Sequence, residues 1–109
     1  MICDQWDVVV VPFPFSERPA AKRRPALVLS RRTFNRGGHT VLAMITSGPH
    51  SPWPGDSALS DYRAAGLKVP CIVRLKLFTL DNRLLLRTIG RLSATDHRAV
   101  VASLEAYLG

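Results

Sequence analysis

Apolar and polar positions alternate along this chain in short β-type stretches, followed by one helical stretch. Trp6 to Phe13, WDVVVVPF, is a dense β-branched run and predicts a buried strand. Pro12 and Pro14 close it, since neither can donate to a ladder. Ser16 to Arg24 is polar and basic and predicts a loop. Pro25 to Arg31, PALVLSR, predicts a second strand with proline at its first position, and Thr40 to Thr46, TVLAMIT, a third. Between them, Asn-Arg-Gly-Gly is a turn signal for a hairpin-like connection.

The pattern changes over Ser47 to Lys68. GPHSPWPG excludes regular structure near its start, and Leu59 to Ala65 predicts a short strand-like or helical piece ending at Gly66. Pro70 to Thr79, PCIVRLKLFT, alternates again. Ile72, Arg74, Lys76 and Phe78 fall on one face, and Cys71, Val73, Leu75 and Leu77 on the other, which sets two cations side by side. Leu84 to Leu92 predicts another strand, interrupted at Gly90. A helix follows. Ser93 suits its N-cap, with Asp96 three residues on in a capping-box arrangement, and Val100, Val101, Leu104, Tyr107 and Leu108 form its apolar stripe. Several short strands and a terminal helix predict a mainly β fold, a small antiparallel barrel or curled sheet with the helix packed on it.

Composition narrows the function. At 109 residues the chain has the length of one domain, 1–109, and 47% hydrophobic against 21% charged residues excludes a disordered tail. No apolar run reaches the roughly 20 residues of a membrane span. The segment Met1 to Asp7, with two acids and no basic residue, does not read as a secretory signal, so a cytoplasmic location is expected. Cys3, Cys71 and the three histidines show no metal-ligand spacing, and neither a metal nor a cofactor is expected. The net charge is +7, and of the 15 basic residues only Lys22, Lys68 and Lys76 are lysines. Arginine donates a planar fork that matches phosphate, so the balance either indicates a polyanionic partner or reflects composition alone.

Five blocks in order, WDVVVVPFPFS, KRRPALVLSRRTFN, LAMITS, AGLKVPCIVRLKLFTLD and IGRLS, resemble the PemK/MazF family of toxin endoribonucleases from type II toxin–antitoxin pairs across nearly the whole chain. The resemblance implies an SH3-like barrel that forms a homodimer. It also implies metal-independent, sequence-selective cleavage of single-stranded RNA to a 2′,3′-cyclic phosphate and a 5′-hydroxyl, inhibited by a cognate antitoxin protein. Arg24, directly before Pro25, matches the family's catalytic arginine, and Thr46, with Ser47 beside it, its catalytic threonine or serine. Arg74 matches an arginine implicated in some members. Two residues on, those members carry an acid where this chain has Lys76. Some members also place a histidine in the first loop, and this chain has none there.

The reaction needs a proton acceptor for the 2′-hydroxyl, a donor for the departing 5′-oxygen and positive charge for the phosphorane. Arg24 fits the third role. Its pKa above 12 makes it an awkward base. Thr46 can orient a phosphate oxygen or simply end a strand. Lys22, Arg23, Ser47, Arg74 and Lys76 are the candidate RNA-binding residues, with Arg74 and Lys76 equally readable as a charged outer face. Asp56, Asp61 and Asp81 read as turn or surface acids, and His39, His50 and His97 occupy no matching position. Trp53 and Phe15 could stack unpaired bases or anchor loops on the core. Two other functions use the same barrel: a non-catalytic toxin of the CcdB-like, gyrase-poison kind, and an inactive member retained for antitoxin or operator binding.

Overall fold

The computed structural model describes residues 1–12, 22–48 and 51–109; Phe13, Phe15, the loop before Lys22 and His50 lie outside them. The strands are β1 (Asp7–Pro12), β2 (Arg23–Val28), β3 (His39–Ser47), β4 (Ser57–Ala58), β5 (Cys71–Asp81) and β6 (Arg87–Arg91); the helices are α1 (Arg32–Asn35) and α2 (Ala94–Leu108). They form one curled sheet in the order β4-β5-β3-β2-β1-β6, with every pairing antiparallel. This half-barrel with a C-terminal helix is the mainly β architecture expected.

Both faces of the curl bury apolar residues. On the helix side, Val8, Leu27, Ala43, Ile45 and Val73 pack with Trp6, Leu92 and Val100. On the other side, Val9, Val11, Ala26, Val28 and Leu42 pack with Cys3 and Leu85. Val8 thus serves one core and Val9 and Val11 the other, with Val10 buried as well, which explains an apolar run without polar interruption.

Several boundaries differ from expectation, each for a local reason. The second strand starts at Arg23 rather than Pro25, because the β1 ladder runs on through Val11↔Arg24 and Pro12↔Arg23. The β2–β3 ladder covers only Ala26–Val28, so Pro25 lies beyond its last pair and its missing N–H costs no bond there. The strand also stops at Val28 instead of Arg31. Leu29 and Ser30 both donate to the Val41 carbonyl, at 2.9 and 3.4 Å, as the chain turns into α1. The Asn-Arg-Gly-Gly turn follows that single helical turn and shares with it Asn35, which is fully buried. Leu59 to Ala65 is a series of turns, and the predicted strand from Leu84 begins only at Arg87, after a 3-10 turn at Asn82–Leu84.

Gly90 interrupts β6 as expected, because the β1–β6 register shifts between Val8↔Gly90 and Val9↔Thr88. At that bulge a Cβ on Gly90 would strike the Ala65 backbone, and one on Gly66 the Ile89 carbonyl. The turn and the bulge therefore meet backbone to backbone.

Ser93 caps α2, its hydroxyl accepting from the Asp96 N–H at 3.2 Å. The Asp96 carboxylate also reaches beyond its own helix. It accepts from the Ser60 N–H and hydroxyl, both at 2.8 Å, and from the Asp61 N–H at 2.9 Å. Burial pushes the Asp96 carboxyl up, but these donors and Ser93 outweigh it and hold the carboxyl below its ordinary range. The apolar stripe of α2 is buried only in part: Val100 is in the core, whereas Tyr107 and Leu108 are exposed. No helix among the described residues is long and apolar enough to cross a membrane.

Candidate active site

The end of the sheet where the β2–β3 ladder stops brings the two principal candidates together. Ala26 pairs with Met44 in the last β2–β3 pair, with Arg24 two residues beyond it on β2 and Thr46 two residues beyond it on β3. Both belong to the face of Ala26 and Leu42, away from α2. Beyond the last ladder pair the two strands are no longer stitched together, which leaves an opening at this edge. Thr46 is 7% exposed, whereas Ser47, Lys22, Arg23 and Arg24 are exposed. On the far side Thr46 pairs with Ile72 and Met44 with Arg74. The third predicted residue, Arg74, is therefore diagonal to Thr46 on the same face. On the β5 side of Thr46 a cleft of about 270 Å³ is lined by Thr46, Ser47, Ala58, Leu59, Cys71 and Ile72, with no residue of β2 in its wall.

Arg74 differs from an open phosphate ligand. Its Nε donates to Asp56 Oδ1 at 3.1 Å, and its Nη2 to Asp56 Oδ2 and the Ser51 carbonyl, each at 2.9 Å. The Asp56 hydrogen bonds raise the guanidinium pKa further. Asp56, read from sequence as a turn or surface acid, is a half-buried ion-pair partner instead. No local pattern signals the pairing, because the two residues are 18 positions apart.

The expected alternation of β5 is broken beside it. The register passes from Ala43↔Leu77 to Met44↔Arg74, so Leu75 and Lys76 form a bulge in the ladder. Lys76 and Arg74 nonetheless converge on one aromatic, with Lys76 Nζ 5.9 Å and Arg74 Cζ 5.4 Å from the Trp53 ring centre.

The remaining candidates have structural positions. His97 stacks on Trp6 with ring centroids 4.3 Å apart. Asp81 caps the 3-10 turn and pairs with Arg83 at 3.0 Å, and those hydrogen bonds lower its pKa to about 2. Asp61 accepts from the Ala64 N–H at 3.1 Å within its own turn. His39 is exposed at the start of β3. Cys3 and Cys71 are free buried thiols with pKa values raised by burial. Among the described residues no cluster of His, Cys, Asp and Glu could hold a metal ion.

A family model for the PemK-like, MazF-like toxin of type II toxin-antitoxin systems matches residues 4–108. Among solved structures, MazF from Deinococcus radiodurans is 26% identical with a TM-score of 0.75, covering 100% of this chain and 98% of its own. A MazE-MazF structure from the same organism is 24% identical with a TM-score of 0.77, at 100% and 98% coverage. An endoribonuclease in complex with its cognate antitoxin, from a mycobacterial species, shares the fold at 18% identity and a TM-score of 0.76, covering 98% of this chain and 95% of its own. No curated protein matches the chain.

Proposed function

Since the chain belongs to the PemK-like, MazF-like toxins of type II toxin–antitoxin systems, we propose that it is an endoribonuclease cutting single-stranded RNA at the edge between β2 and β3. What supports the reading is that Arg24 and Thr46 each lie two residues past the last β2–β3 pair, Ala26↔Met44. In the proposed reaction the 2′-hydroxyl of one nucleotide attacks the adjacent phosphorus. The P–O5′ bond breaks, leaving a 2′,3′-cyclic phosphate and a 5′-hydroxyl. Charge accumulates on the phosphorane oxygens, where the planar fork of Arg24 stabilises it in the transition state more than in the ground state. The Thr46 hydroxyl orients a phosphate oxygen through a hydrogen bond. Lys22, Arg23 and Ser47, exposed beside them, draw in the neighbouring phosphates.

Two partners follow from the same reading. A second copy of the chain completes the site as a homodimer, and a cognate antitoxin covers the cationic edge with an acidic segment that competes with phosphate. The MazE-MazF structures of the Deinococcus protein support such a partner.

The test is incubation of the purified chain with a long mixed RNA in EDTA, followed by end-group analysis. Fragments with cyclic phosphate ends from single-stranded regions are expected. Intact RNA, or fragments appearing only on addition of a metal, would contradict the reading. Adding the protein encoded by the neighbouring reading frame should stop cleavage.

A further inference from the structure

The segment 51–56, leading into β4, is bracketed by one side chain. Arg74 donates to the Ser51 carbonyl at one end of it and twice to the Asp56 carboxylate at the other. Between these anchors the Asp56 N–H donates to the Trp53 carbonyl at 3.1 Å. Gly55 adopts φ +82° with Leu75 and Tyr107 packed where its side chain would stand. Such a loop has every means to fold its tryptophan inward, yet Trp53 remains 39% exposed. Burying a ring of that size is a large apolar gain, so a tightly held loop that leaves it out is organised for presentation.

We propose that Trp53 is a stacking platform for a base of single-stranded RNA, and that Arg74 is the positioning residue that holds it in place. The proposal rests on the nuclease reading above and names the feature that grips the substrate beside the cut. Arg74 pairs with Met44, two residues before Thr46 and on the same face. Its loop is therefore anchored about 7 Å along the strand from the cleavage edge. An indole face accepts any base, so it adds grip without dictating one. Lys76, with its ammonium near the ring, adds attraction for the phosphate that accompanies the stacked base. The charge of Arg74 is already matched by Asp56. Its contribution is placement of the loop rather than neutralisation of phosphate.

The test uses the full chain with a short single-stranded RNA, and the same RNA with 2′-O-methyl riboses as a binding probe that lacks the attacking hydroxyl. The chain has two tryptophans, and Trp6 is 7% exposed, so quenching of exposed indole emission reports Trp53. The methylated RNA is expected to quench the parent. Trp53→Ala should raise the half-saturating RNA concentration about tenfold or more with little change in the single-turnover rate at saturation, and Trp53→Phe should restore most of the loss. Arg74→Lys, which loses the bidentate fork, should raise half-saturation by a similar factor, add little to Trp53→Ala in the double variant, and leave the salt dependence unchanged. Asp56→Asn should behave like Arg74→Lys, with thermal melting to confirm folding of each.

If Arg74 gripped phosphate directly, Arg74→Lys would add its full effect to Trp53→Ala, and Arg74→Ala would lower the log–log salt slope by about 0.7; either result overturns the positioning role. A Trp53→Ala chain with the half-saturation of the parent overturns the platform, and if Arg24→Ala is still inactive the nuclease reading survives. A parent that neither cleaves RNA nor is quenched by it overturns both.

Discussion

The two ends of β3 carry a threonine each, six residues apart on the same face, and the protein treats them in opposite ways. At the first end Thr40 is completely buried and its hydroxyl donates to Asn82 Oδ1 at 2.7 Å. Asn82 in turn donates to the Asn35 carbonyl at 2.6 Å, and the Asn35 amide donates to the Cys3 and Ser30 carbonyls at 3.0 and 3.1 Å. Among the described residues no buried side-chain polar atom lacks a partner. The other end is open: β2 parts from β3 after Ala26, Thr46 sits at the mouth of a cleft, and exposed cations flank it. Identical side chains on one strand thus stand in a closed amide network at one end and beside an open cleft at the other. The β2–β3 ladder ends two residues short of each threonine, so the difference lies in what covers them: the Asn35 and Asn82 turns close over Thr40, whereas a cleft lies beside Thr46. A β-branched residue suits the strand at both places, so residue type alone does not reveal the role.

The largest expected effect falls at the open end. Arg24→Ala should slow single-turnover cleavage by about 10²–10³, by analogy with the loss of a donor to a developing oxyanion. Its melting temperature should stay at the parent value, because the side chain is exposed. Arg24→Lys should recover only part of the rate. Equal cleavage by parent and Arg24→Ala would move the site elsewhere.

Next come the paired threonine substitutions, which set the two ends directly against each other. Thr46→Val keeps the branched shape and should slow cleavage about tenfold or more while leaving melting nearly unchanged. Thr40→Val should do the reverse. It leaves a buried Asn82 oxygen without its donor, at a cost of about 1–3 kcal/mol, or a fall in melting temperature of roughly 4–8 °C per kcal/mol. Cleavage per folded molecule should be unaltered. If both variants lost stability and kept activity, the contrast between the ends would be false.

The smallest effect separates the ends by pH. The sealed network of Thr40, Asn82 and Asn35 contains no titrating group. One wall of the open cleft includes Leu59, next to the turn that Asp96 ties down through Ser60 and Asp61. The Asp96 carboxyl has a lowered pKa in the folded state. Its contribution to stability is therefore fully present above the unfolded carboxylate value of about 3.9 and is lost as pH falls from there through the lower folded value. Amide exchange below pH 4 should accelerate around Ser60 and Asp61 before it does around Thr40. Asp96→Asn should weaken that turn already at neutral pH and remove the acid-dependent difference. Simultaneous loss of protection at both ends would show that Asp96 does not act locally.

Local spacing carried much of this protein. The valine run of β1 needs only its own composition to become a strand buried on both faces, and Ser93 caps α2 because a cap is satisfied within three residues. Arg24 and Thr46 were legible as candidates because they stand at fixed places in blocks that resemble a family, and both lie two residues past the last β2–β3 pair. Other features were decided only by the tertiary structure. Arg74 alternates with Lys76 like any strand cation until a two-residue irregularity and an Asp56 18 positions away turn it into a loop anchor. Asp96 has the sequence position of a capping-box acid but binds a turn 36 residues back. Asn35, Thr40 and Asn82 look like ordinary polar loop and strand residues until the curl of the sheet buries them together. Short-range hydrogen bonds and apolar periodicity are encoded within a few residues. The partner of a buried charge or amide depends on which distant segments the curled sheet brings into contact, and no local pattern contains that information.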